Sequence, residues 1–193
     1  MHEMNRGALL RRAGAGAGAL ALLGVAVDPA GAATDVDLSN VRLVCSCKRL
    51  AIYWLTQWLN STTAKPTGDT RDLLLAIRVQ EEGHYKLLAP VLGATAPVDD
   101  DFTFTIPTGA LRTNAAAAGF ALDLEELVVR IGVGAVSTTK DTSIAASLAS
   151  VLASDAQHAG VFSSLNGSAP NPDGFVAAVN AQDAGDQLSQ FLS

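Results

Sequence analysis

Four stretches of helical length each carry an apolar stripe in steps of three and four residues, and each stripe is broken near its middle by an ionisable side chain. The first stripe reads Val41, Cys45, Lys48, Ile52, Leu55, Leu59, and the second Leu74, Ile77, Glu81, His84, Leu88. In the third, Ala118, Ala121, Glu125, Val128, Gly132 and Ala135 share a face; in the fourth, Leu148, Val151, Asp155, His158, Phe162 and Leu165 do. A stripe of this kind packs against other helices, so the four ionisable positions are expected to meet inside a core. Burying an unpaired carboxylate costs several kcal/mol or changes its protonation. Three at matched depth need a compensating cation, and a bound metal is the usual one.

The links between the stretches set the topology. The first runs from about Leu38 to Asn60, after the cap-like Asp37, and ends in the breaker-rich Ser61 to Gly68; the second runs from about Asp69 to Ala89 and stops near Pro90 and Gly93. A long connection, residues 90–112, passes through Pro97, Asp99 to Asp101, Phe102-Thr103-Phe104 and Pro107 before the third stretch at about Thr113 to Val136. The fourth spans about Thr142 to Leu165, and a tail from Phe175 to Leu192 is expected to form one or two short helices on the bundle. Short, long, short is the pattern of two antiparallel hairpins joined by a crossover. The fold class is therefore all-α, an antiparallel four-helix bundle. Abundant Ala and Leu and an aromatic content of 5% agree with helix over sheet.

Residues 1–33 read as a signal peptide rather than as part of this domain, which would occupy 34–193. Arg6, Arg11 and Arg12 precede a short Gly/Ala/Leu-rich run, and Ala30-Gly31-Ala32 supplies a small-residue cleavage site. The run is shorter and richer in glycine than a membrane span of about 20 apolar residues. Arg6 followed by Leu9-Leu10-Arg11 is twin-arginine-like, with Gly7 at the place of the second arginine. No cysteine follows to carry a lipid, so no membrane anchor is expected in the mature form, which would be secreted or held in the cell envelope. Its loss removes three arginines and two acids, taking the net charge from −6 to −7. That sign disfavours nucleic acid as a partner.

Neighbouring charges sharpen the choice of buried residues. Glu82 stands four residues before Lys86 and Glu126 four before Arg130, the favourable order for exposed helical pairs. Glu81 and Glu125 lack such partners and face the other way. Cys45, on the stripe of Lys48, reads as a small buried apolar residue or, less simply, a soft-metal ligand. Cys45 and Cys47 point to nearly opposite sides of one helix and do not suit a mutual disulfide. The aspartates at 99–101 read as a solvated loop, without the spacing of an EF-hand.

Glu81-Glu82-Gly83-His84 and Asp155-Ala156-Gln157-His158 resemble the two E-x-x-H motifs of ferritin-like di-iron proteins, with Glu125 matching the lone glutamate of their third helix. The chain is similar to exported bacterial ferritin-like proteins, some called desiccation-related, which often carry twin-arginine signals and a Phe-x-Phe-like crossover. The resemblance covers nearly all of the mature chain and implies metal ligands at Glu81, His84, Glu125, Asp155 and His158. Two positions depart from the pattern. Lys48 stands where the family has its first-helix glutamate, and Asp155 is one methylene shorter than the glutamate it replaces. Three carboxylates and one ammonium leave a charge of about −2, which matches at most one Fe, Mn or Zn ion rather than two. Lys48 is expected either to pair with Glu81 or Glu125 in place of metal, or to snorkel to a helix end. The rival to a single-ion protein is a metal-free structural or stress-related one built on that lysine–carboxylate network.

Overall fold

In the computed structural model, which describes residues 33–169 and 176–191, five α-helices follow one another: α1 (Asp35–Asn60), α2 (Gly68–Leu92), α3 (Asn114–Thr138), α4 (Thr142–Asn166) and α5 (Ala181–Ser189). The signal-type segment, residues 1–32, lies outside the described residues, as do the two ends of the expected tail, Phe175 and Leu192. Among the described residues no helix is long and apolar enough to cross a membrane.

The helix starts follow from local hydrogen bonding. Asp37 is not the N-cap of α1; Thr34 is, accepting from the Asp37 N–H while the Asp37 carboxylate accepts from the Thr34 backbone N–H. The second Asp37 oxygen accepts from the Lys140 N–H at 2.6 Å, tying the start of α1 to the α3–α4 turn. Thr113 and Asp141 cap α3 and α4. Helix α2 passes through Pro90 and ends at Leu92, because a proline in the last turn disturbs few remaining bonds; Gly93, at φ 57°, then turns the chain.

Contacts at the helix ends give the directions. Arg42 near the start of α1 donates to Thr95 beyond α2, and Arg71 at the start of α2 donates to the Leu59 carbonyl near the end of α1. Asn40 reaches Ala135, Thr138 and Thr139 at the end of α3, whereas the Trp58 indole donates to Asn114 at its start. Helix α1 therefore runs antiparallel to both α2 and α3. Gly119 lies beside Asn166 and Gly132 beside Leu152, so α3 and α4 are antiparallel too. Helices α2 and α3 then run the same way, and residues 93–113 must travel the length of the bundle to join them. On that path Asp99 pairs with Arg49, Phe104 stacks on Tyr53, and the Thr105 N–H donates to the Phe191 carbonyl.

The stripes lie where the sequence places them. Val41, Cys45, Lys48, Leu55, Leu74, Ile77, Glu81, Leu88, Leu148, Val151, Asp155, His158 and Phe162 are all buried, with Ile52, His84 and Leu165 partly so. The α3–α4 contact is the most extensive in the bundle and uses small residues; a Cβ on Gly132 would come within 3.0 Å of Leu152. The contact between α2 and α4 is much thinner. Over α3, the Val179 N–H donates to the Arg130 carbonyl, and the Val179 carbonyl lies 2.1 Å from where a Cβ on residue 134 would stand, so only glycine fits there.

Candidate metal centre

Lys48 of α1, Glu81 and His84 of α2, Glu125 of α3, and Asp155 and His158 of α4 converge at mid-bundle. They do so because each occupies the central break in its own stripe. Lys48 and Glu81 are 0% exposed, Glu125 and Asp155 2%, and His158 3%. One ligand-type atom each from Glu81, Glu125, Asp155 and His158 falls within 4.8 Å of the others. His84 borders this group without belonging to it. Its Nδ1 lies 3.4 Å from Asp155 Oδ1 and 3.7 Å from Glu81 Oε1, and its side chain, at 12% exposure, is the most open of the set.

The lysine does not snorkel. Its Nζ lies 2.7 Å from Asp155 Oδ1 and 2.8 Å from Glu81 Oε2. Of the two expected partners, Glu81 or Glu125, the structure selects Glu81, and it adds Asp155 of α4, because the long stem crosses the bundle diagonally. Burial acts against the ammonium, but Asp155, Glu81 and Glu125 outweigh it and hold the amine protonated. Burial likewise opposes ionisation of Glu81; Lys48 and then hydrogen bonds with His158 and His84 overcome it and hold this carboxyl well below its ordinary range.

Glu125 behaves in the opposite way. Burial first, then the charges of Glu81 and Asp155, push its carboxyl well above the ordinary value despite Lys48. Its Oε2 is buried without a hydrogen-bond partner, and its Oε1 is 3.8 Å from His158 Nδ1. The same Nδ1 is 2.8 Å from Glu81 Oε1. For His84, burial acts against protonation, but hydrogen bonds to Asp155 and Glu81 prevail and favour the imidazolium.

One residue of this centre is not apparent in the sequence. Gln80 precedes Glu81 off the stripe, yet its Oε1 lies 2.7 Å from His158 Nε2. A polar residue beside a buried glutamate gives no signal of a partner 78 residues away. Glu82 pairs with Arg78 at 3.3 Å, one turn back, and not with Lys86; helical spacing permits either neighbour. Cys45 and Cys47 are buried free thiols, pushed up to about 12 chiefly by burial, and thus poor thiolate ligands.

A family model of the ferritin-like domain matches residues 32–168. The chain belongs to the ferritin-like domain family. No curated protein matches it. The family's two-metal arrangement does not fit these residues, since the Lys48 ammonium already holds Glu81 Oε2 and Asp155 Oδ1, oxygens that a metal pair would need. A single cation fits better. The unpartnered Glu125 oxygen, Glu81 Oε1 and His158 Nδ1 form a buried carboxylate and imidazole donor set of the kind iron, manganese or zinc accepts.

Proposed function

We propose that this is an exported ferritin-like protein whose centre binds one divalent ion, with Lys48 acting as a permanent internal cation beside it. Glu125, Glu81 and His158 would hold the ion and Asp155 would complete its surroundings through the oxygen that Lys48 leaves free. The observation carrying this reading is the Glu125 carboxyl: 2% exposed, with one oxygen lacking any hydrogen-bond partner, next to an imidazole nitrogen. A buried acceptor left bare costs about 1–3 kcal/mol, and a cation there would remove that cost. A bound ion would supply a Lewis acid, or a redox centre if it were iron or manganese. The protein's residues provide the rest: Lys48 limits the charge, the apolar stripes exclude water, and His84 places a proton-carrying group at the thin α2–α4 seam. The signal-type leader supports an extracytoplasmic setting, and the resemblance of the two acid-x-x-His motifs to exported ferritin-like proteins, some of them called desiccation-related, supports a stress role.

A second reading has its own support. Lys48 neutralises part of the Glu81 and Asp155 charge, and Glu125 resists ionisation, so the centre is nearly balanced without metal. On that reading the protein is structural. Elemental analysis of protein purified without chelators, with thermal melts in EDTA and in Fe(II), Mn(II) or Zn(II), separates the two. The single-ion reading expects a metal-to-protein ratio near one and a raised melting temperature, because a ligand of the folded state alone stabilises it. Lys48→Glu should raise the ratio towards two and lower the metal-free melting temperature. A wild type that takes up no metal would leave the structural reading standing.

A further inference from the structure

The two histidines of the cluster differ in how their outer nitrogens are held. His158 Nε2 lies 2.7 Å from Gln80 Oε1, whereas no described residue bonds the outer nitrogen of His84. An amide oxygen only accepts, so His158 Nε2 carries the hydrogen. Its Nδ1 faces Glu81 Oε1 at 2.8 Å and Glu125 Oε1 at 3.8 Å and donates to Glu81 in the metal-free centre; a cation would take this nitrogen by displacing that hydrogen, while Nε2 keeps its own. The ring is 3% exposed, and the Gln80 amide that meets its Nε2 is partly buried.

We infer that Gln80 is a positioning residue that selects His158, and not His84, as the nitrogen ligand of the centre. It does so by binding the Nε2–H and fixing the tautomer and plane of the ring. The inference rests on the single-ion reading above and adds to it the residue that chooses between two candidate histidines. Both rings lie within reach, stacked with centroids 5.9 Å apart, and the sequence gives each the same acid-plus-three spacing. What separates them is an outer partner. Without it, nothing keeps the hydrogen on Nε2 when a cation arrives, and the ring can retain the one it donates to Glu81 instead, which blocks the nitrogen that faces the carboxylates. Gln80 also sits next to Glu81 on α2, so one helical turn sets both a carboxylate and, through the amide, the imidazole of the opposing hairpin.

The test combines zinc titration with long-range proton–nitrogen NMR of the imidazole rings in wild type, Gln80→Leu and Gln80→Glu. In the zinc-loaded wild type the coordinated nitrogen should be Nδ1 of His158, with the proton on Nε2. Gln80→Leu, which has no acceptor, should bind zinc about 10–100-fold more weakly, and Gln80→Glu should restore most of the loss. Gln80→Ala serves if the leucine variant does not fold. Wild-type zinc affinity in the variants without an acceptor, or a zinc-bound His84, would overturn the inference. If the wild type takes up no zinc, the single-ion reading fails separately and the rings of the metal-free proteins decide. An Nε2–H on His158 that is lost in Gln80→Leu supports the role of Gln80, and a bare Nε2 in the wild type overturns it.

Discussion

On one side of the buried cluster an ammonium group meets two carboxylates at 2.7 and 2.8 Å; on the other, an equally buried carboxyl group has an oxygen with no hydrogen-bond partner. Both sides are assembled from the same kinds of stripe position, and both are closed to water. The difference lies in where compensation comes from. Glu81 and Asp155 are answered by a covalently attached cation, and Glu81 ionises more readily than an ordinary glutamate. Glu125 is answered by none and resists ionisation. Lys48 thus divides the site into a settled half and an open half.

The sharpest way to break this contrast is to remove the cation. Lys48→Met keeps much of the stem volume but leaves Glu81 and Asp155 without their partner. We expect a loss of about 3–5 kcal/mol in metal-free protein, read by denaturant unfolding in EDTA, because a buried pair broken on one side strands the other charge. Added zinc should return part of it.

An intermediate effect is expected on the open side. Glu125→Gln removes a carboxyl that burial disfavours and a ligand that the ion needs, so metal uptake should fall sharply while metal-free stability rises. The two halves should also differ in their pH dependence. Glu81 is held below the ordinary value of 4.5, so its contribution is present above that pH and is lost as pH falls through its folded value. Glu125 is held above 4.5, so its contribution is present below that pH and declines as pH rises towards its folded value. Melts of wild type and Glu125→Gln between pH 4 and 8 should therefore diverge as pH rises, with the variant more stable by about 1 kcal/mol or more at the alkaline end. Parallel curves would show that the open side is already compensated. The smallest effect belongs outside the cluster: Glu82→Gln, which removes the partly exposed pair with Arg78, should change stability by about 0.5 kcal/mol or less in a urea titration.

The bundle was legible because four stripes and three link lengths are properties of spacing, and spacing survives in a sequence. The convergence of Glu81, Glu125, Asp155 and His158 follows from matched depth along those stripes. What spacing does not carry is the direction of a long side chain or the identity of an off-stripe partner. Lys48 was assignable to the core, but its choice of Asp155 across the bundle depends on how four helices sit together. Gln80 gave no periodic signal at all. Thr34, a cap one turn before the expected Asp37, differs for a simpler reason: both residues belong to one reciprocal box, and the sequence alone does not tell which of them begins the helix.

The buried ammonium also bears on the order of events when the chain is made. A bundle whose central carboxylates are balanced only by a bound ion completes its core after meeting that ion, and its folded fraction follows the ion's concentration. Here the first helix carries its own positive charge to Glu81 and Asp155 as the four helices close. Most of the centre's assembly is then independent of metal supply, and a cation would arrive as a late addition to a bundle already built, entering beside the partly exposed His84.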